Sequence, residues 1–303
     1  MFKTKTINDI EIKPIIKGGS HDKKTIRAYD WYPEPYANIC MLARKKSGKT
    51  NAIYRALEKC ATKGTNVFIF SPTVHIDDTY KKMISMLKKK KCTVVAKEHF
   101  VENGVDLVEQ LLSIFGKTDT EDQKKEDEYV APPLLLFGDT QNYKMVNKQI
   151  GGECTLVRKP KREPKKTTKK GKGKADKMIT PEHILIFDDL SSDMKCKTIS
   201  RLLTKNRHYK LKVFIAVHSV NNLEKMGLSC VDYFHVFPNV SSEKIEELKE
   251  KVNITFKNDS KKDSKLQKLY DYATAKPYNF LYIDRVDGCF RKNYNEKIIV
   301  DTE

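Results

Sequence analysis

Residues 43–50, Ala43-Arg44-Lys45-Lys46-Ser47-Gly48-Lys49-Thr50, constrain this chain more than any other stretch. The apolar run Ile39-Cys40-Met41-Leu42 precedes them, and Ala52, Ile53, Ala56 and Leu57 follow at helical spacing. Strand, loop and helix in that order is the setting of a phosphate-binding loop, whose backbone N–H groups face the phosphates at the positive end of the helix dipole. Within it Lys49 is placed to reach the β- and γ-phosphates of ATP, and Thr50 to ligate Mg²⁺. Ala43 stands where the common form of the loop has Gly, which alters its packing and bears on nucleotide affinity.

A second apolar run, His183-Ile184-Leu185-Ile186-Phe187, ends in Asp188 and Asp189. A carboxylate closing a buried strand is costly unless it is paired or metal-bound, so Asp188 is expected in the Mg²⁺ shell and Asp189 beside the attacking water. Asp189 also has a plainer reading as a helix N-cap, supplemented by Ser191, Ser192 and Asp193. The run from Lys212 to Val217 leads to His218, a candidate γ-phosphate sensor or simply a satisfied polar residue at a strand end. Residues 133–139 are apolar and end in Asp139, but only one carboxylate closes them and no sensor strand follows closely.

Around these runs strands alternate with helical patterns, which implies an α/β fold with a mostly parallel sheet covered on both faces. Further strands are expected at 67–70, 93–96, 233–237 and 280–284. Helices are expected from Asp77-Asp78 through Leu87, at 105–115, at Ile199 to Leu203, from Asn221-Asn222-Leu223, at 242–252 and around 265–272. Ligands in such sheets bind at the carboxyl ends of the strands, where Lys49, Asp188 and His218 all fall. The organisation read from this pattern is an N-terminal extension over 1–36, a core over 37–290 interrupted by a charged insertion at 116–180, and a tail over 291–303. The extension holds a partly alternating piece, 10–16, and the cluster Trp31-Tyr32-Pro33-Glu34-Pro35-Tyr36, expected to cover the sheet edge rather than to stack an adenine.

The net charge of +18 is concentrated: residues 158–177 carry eleven Lys/Arg against two acids, Glu163 and Asp176. Within this segment residues 159–174 lack apolar periodicity and are expected to be disordered. It serves as a solvated linker, a nucleic-acid-binding arm or a localisation signal, which share one composition. The seven cysteines are spread without a C-x-x-C pair, which argues against a disulfide framework or a zinc site. No run reaches the roughly 18 apolar residues of a membrane span, so the expectation is a soluble intracellular protein.

The loop, Phe70-Ser71-Pro72-Thr73 with residues 77–80 after it, Phe187-Asp188-Asp189, Asn206-Arg207-His208-Tyr209 and Lys276-Pro277-Tyr278-Asn279-Phe280-Leu281 together resemble the genome-packaging ATPases of nucleocytoplasmic large DNA viruses and virophages, in the FtsK/HerA superfamily. The resemblance covers about residues 37–285 outside the insertion. It implies a RecA/FtsK-like P-loop core and an ATP- and Mg²⁺-dependent motor, a homo-oligomeric ring that drives double-stranded DNA into a capsid in the host cytoplasm or viral factory. It gives Lys49 and Thr50 the phosphate and Mg²⁺ roles, Asp188 and Asp189 the acidic pair, and His218 a position where Gln is common. Arg207 falls in the family's Arg-His step. With Arg201 it is a candidate for a charge-stabilising residue offered to a neighbouring subunit, although cations at a helix end also suit the dipole. The rival class is a non-catalytic DNA-binding or capsid-assembly protein on a decayed ATPase fold.

Overall fold

The uninterrupted apolar runs become the inner strands of one sheet because helices close over both of its faces. The computed structural model describes residues 25–117, 143–147, 154–158, 178–190, 193–256 and 264–300. Its strands are β1 (Asn38–Leu42), β2 (Asn66–Phe70), β3 (Thr93–Lys97), β4 (Val101–Glu102), β5 (Val105–Asp106), β6 (Tyr143–Asn147), β7 (Cys154–Arg158), β8 (His183–Asp188), β9 (Leu211–Val217), β10 (Tyr233–Val236), β11 (Leu281–Asp284), β12 (Cys289–Lys292) and β13 (Glu296–Ile298). The helices are α1 (Lys49–Cys60), α2 (Asp78–Lys89), α3 (Leu107–Lys117), α4 (Lys197–Lys205), α5 (Lys225–Ser229), α6 (Ser242–Val252) and α7 (Lys265–Thr274).

The main sheet runs β13-β12-β11-β10-β1-β9-β8-β2-β3. From β10 to β3 every pairing is parallel, and β11, β12 and β13 extend the sheet antiparallel. Every residue of β1, β8 and β9 is buried, as a two-sided parallel sheet requires. Alternation along β1 sends Ile39 and Met41 to the layer under α1 and α2, and Cys40 and Leu42 to the layer under α3 to α7. Two short hairpins, β4–β5 and β6–β7, stand apart from this sheet.

Three local expectations change. The helix start at Asn221 is a single 3₁₀ turn over Val220–Asn222, because Ser219 and Asn222 cap each other and close it; α5 begins only at Lys225. The stretch from 291 is not a tail: β12 and β13 form the sheet's antiparallel edge. They are folded back by a turn in which Asp284 Oδ1 accepts from the N–H groups of Val286 and Asp287 and Gly288 takes φ 62°. Asp287-Gly288 is an ordinary hairpin signal. The described part of the N-terminal extension belongs to the core, with Tyr32 fully buried, Trp31 stacked on Tyr294 at 4.0 Å, and Ile26 bridged to Ile179. That agrees with a cover over the sheet edge. Residues 10–16, the run 133–139, the basic residues 159–177, and Ser191 and Ser192 lie outside the described residues. No helix among the described residues is long and apolar enough to cross a membrane.

Candidate nucleotide site

The site lies where β1, β9 and β8 end side by side. Leu42 pairs with Val217, and Asp188 with Ala216, so the residues that follow all three strands emerge on one rim. From Leu42 the chain enters the loop, Ala43 N–H donating to Val217 O at 3.1 Å. The loop turns through two left-handed residues, Lys46 at φ 63° and Gly48 at φ 97°. Only Gly meets both demands at position 48, since a Cβ there would lie 2.9 Å from Tyr278 Cδ1.

Helix α1 then starts at Lys49 with no side-chain cap and no acid in its first turn. The contrast with α2 is informative: there Asp77 accepts from Thr79 N–H at 2.7 Å and Asp78 stands in the first turn. The first N–H groups of a helix need partners. At α2 side chains supply one, whereas at α1 the positive end is left open for an anion. Ser47 points the same way, its hydroxyl being buried without a hydrogen-bond partner among the described residues.

Lys49 Nζ lies 2.9 Å from Asp188 Oδ1 and donates to Asp189 Oδ1. Burial works against its charge, but the two carboxylates outweigh this and hold the ammonium above the ordinary lysine range. Asp188 Oδ2 also receives the Tyr80 hydroxyl and, at 3.4 Å, that of Thr50. Burial and the neighbouring Asp188 push the Tyr80 phenol well above its ordinary pKa, so it remains a donor. Asp189 sits at φ 59° in the left-handed region that Asp tolerates. Its plainer reading as a helix cap is not what is observed, since Cys196 occupies the N-cap of α4.

His218 joins the two halves of the site. Its Nδ1 is 2.8 Å from the Ala43 carbonyl, which can only accept, so Nδ1 carries the hydrogen; Nε2 lies 3.5 Å from Asp189 Oδ1. The two positions at which the chain departs from the common loop-and-sensor pattern therefore touch each other. Ala43 buries its methyl group in the core, and its carbonyl orients the imidazole.

The arginines do not reach this rim. Arg207 precedes β9, whose seven residues put it about 20 Å from the site at the opposite end of the sheet. There it is 61% exposed and loosely paired with Asp232 at 3.6 Å. Arg201 donates from Nη1 to both carboxylate oxygens of Glu109, at 3.0 and 2.9 Å. Sequence reasoning missed Tyr80 and Tyr278 as site residues. Tyr80 sits on the same apolar stripe as Met83 and Leu87 and so reads as core.

An open helix N-terminus behind a phosphate-type loop, and two acids on a strand separated from the loop strand by β9, define an α/β P-loop ATPase. Residues 145–284 match the family model of the Poxvirus A32 protein, so the chain is similar to that family over this stretch. The match takes in β8, His218 and Tyr278 but begins well past the loop, so the loop is independent of it. No curated protein sequence matches significantly. Similar solved structures include the genome packaging NTPase B204 from Sulfolobus turreted icosahedral virus 2 in complex with ATP-gammaS, at 16% identity and a TM-score of 0.48, covering 88% of this chain and 100% of that one. The DNA-packaging ATPase B204 from Sulfolobus turreted icosahedral virus is 15% identical with a TM-score of 0.47, covering 88% and 99%.

Proposed function

We propose that this chain hydrolyses ATP with Mg²⁺ to move double-stranded DNA, as the genome-packaging motor of a virus working in a homo-oligomeric ring. The observation that carries the reading is Lys49 held between Asp188 and Asp189 at the open head of α1. The match to the Poxvirus A32 protein supports the viral setting. The residues present fit the nucleotide and its metal: the uncapped N–H groups of α1 and the unpartnered Ser47 hydroxyl suit phosphate oxygens, and the hydroxyl of Thr50 and carboxylate of Asp188 suit a hard cation. Bound there, Mg²⁺ would neutralise charge on the phosphates.

Lys49 can exchange its carboxylate partners for phosphate oxygens, which frees Asp189 to orient the attacking water. His218 Nε2 stands beside Asp189 to report on, or share, the proton that moves. Tyr80 keeps Asp188 in place by donating to its outer oxygen. Charge stabilisation worth about 10³ to 10⁵ in rate is available from an arginine finger. Arg207 is the better candidate, because its single long ion pair is easier to give up than the two short Nη1 contacts of Arg201 to Glu109. At the far end of the sheet it can act only on another subunit. Mixing Arg207→Ala chains with Lys49→Ala chains is then expected to restore activity at interfaces that pair an intact site with an intact finger. No recovery in mixtures shown to co-assemble returns Arg207 to its local pairing with Asp232.

DNA contact falls to the eleven cations of residues 158–177. Each duplex phosphate they neutralise adds about 0.9 to the slope of log affinity against log salt. Deleting the segment is expected to flatten that slope by several units, and an unchanged slope would place DNA on the folded core instead. The motor reading itself is tested by ATP-dependent displacement of a third strand from triplex DNA by the purified chain. Displacement that requires ATP supports translocation, and DNA binding without displacement under hydrolysing conditions favours the non-motor rival.

A further inference from the structure

We infer that Tyr278 is the platform on which the base of the bound nucleotide stacks. This rests on the proposed ATP site and adds a part of it that the loop and acidic-strand motifs do not specify.

Position comes first. Strand β11 is antiparallel to β10, so Leu281 at its start pairs with Val236 at the end of β10, and Phe237 N–H donates to Leu42 O where β1 runs into the loop. The turn Lys276-Pro277-Tyr278-Asn279 is therefore delivered to the rim that carries Lys49. Its ring contacts the loop itself, Cδ1 falling 2.9 Å from where a Cβ on Gly48 would stand.

Conformation and exposure then argue against a packing role. The backbone closes Asn279 N–H onto Lys276 O, with proline second and a left-handed residue third, Tyr278 at φ 65°. A turn of that kind is ordinarily built with Gly at the third position. A bulky residue in the left-handed region is strained and persists only where the surroundings enforce it. Here Asn293 enforces it, donating from Nδ2 to Asn279 Oδ1 at 3.0 Å and accepting from Phe280 N–H at 3.1 Å. Burial does not compensate for the strain, because Tyr278 remains 69% exposed, and its hydroxyl makes no hydrogen bond among the described residues. The turn thus holds an aromatic face open to water next to the last glycine of a phosphate loop.

A purine or pyrimidine ring fits that face. Stacking of a base on an aromatic side chain is worth about 1–3 kcal/mol and is tolerant of base identity, since every base has a π-face. Tyr278 is therefore expected to add affinity without choosing between ATP and GTP.

The test uses the full-length chain with three variants, Tyr278→Phe, Tyr278→Ala and Tyr278→Gly, and three ligands, ATP, GTP and inorganic tripolyphosphate. The expected result is a weakening of ATP and GTP binding by about tenfold in the Ala and Gly variants, with tripolyphosphate affinity unchanged and the Phe variant like the parent. Tyr278→Gly is also expected to raise the melting temperature, as strain relief requires. A base-independent loss, with tripolyphosphate weakened as much as ATP, would make Tyr278 a structural support of the loop and overturn the inference. So would unchanged ATP affinity in Tyr278→Ala. Failure of the unaltered chain to bind ATP at all would remove the ATP site and this inference together, so the two failures are distinguishable.

Discussion

The rim carrying Lys49, Asp188 and Asp189 and the aromatic edge around His235 bury polar groups in opposite ways. At the rim the groups are charged and neutralise one another: one ammonium lies between two carboxylates, with hydroxyls of Thr50 and Tyr80 on the remaining oxygen. At the edge burial works against charge. Among the described residues His235 has no hydrogen-bond partner on either nitrogen and is packed by Tyr32, Phe280, Tyr282 and Tyr294, so burial pulls its pKa down to about 3. Burial likewise lowers the Lys212 pKa, its ammonium sitting over the Tyr32 ring at 4.7 Å and donating to Glu34 O. The difference separates function from packing. Charges held chiefly by one another at an open rim can be exchanged for a charged ligand, whereas groups enclosed by rings are closed to one.

The largest effect expected from this contrast is that of Lys49→Ala. Turnover should fall by about 10³-fold or more, because the loop loses its phosphate contact. The nucleotide-free protein should also lose about 3 kcal/mol of stability in denaturant unfolding, since Asp188 is left buried beside a second carboxylate without its cation. A variant as stable as the parent would show that the cluster is not electrostatically closed. Asp189→Asn comes next, with turnover down on the order of 10²-fold at unchanged nucleotide affinity. Lost affinity with retained chemistry would make Asp189 a binding residue.

At the edge the expectation concerns pH. His235 is neutral when folded and takes up a proton near pH 6.5 when unfolded, so its contribution to stability is complete above 6.5 and is lost as pH falls towards about 3. From pH 7 to 5 this group alone should remove about 2 kcal/mol. Replacing it by Phe should abolish that slope and leave stability at pH 7 level or slightly higher, since no hydrogen bond is lost. A variant that keeps the slope would place the titrating group elsewhere. The smallest effect is that of Tyr80→Phe, a several-fold drop in turnover from loss of one hydrogen bond to Asp188, read in steady-state kinetics.

The rim was the legible region and the edge was not, for physical reasons. Runs buried on both faces, such as His183 to Asp188, are continuous in apolar character, and the residues that end them are conspicuous because a charge there needs an explanation. That Lys49, Asp188 and His218 share one rim followed from the βα alternation and the strand-end rule, whereas the strand order itself did not. Tyr80 and Tyr278 escaped because an aromatic at helical spacing, or beside proline in a turn, carries no mark of what it faces; each is defined by a contact more than a hundred residues away in sequence. The edge strands β12 and β13 are short and polar, and they pair because the Asp287-Gly288 turn and Asn293 fold them back. Arg207 was legible as a cation at a helix end, but whether it serves another subunit would be a property of an assembly and not of one chain.

Steady-state phosphate release from ATP and Mg²⁺ by the purified chain, with and without duplex DNA and alongside Lys49→Ala, tests the central claim most directly. The account predicts turnover that duplex DNA accelerates and that Lys49→Ala removes. Nucleotide binding without phosphate release, with DNA present and the ring assembled, would contradict it and leave the lysine–carboxylate cluster as the relic of a decayed ATPase.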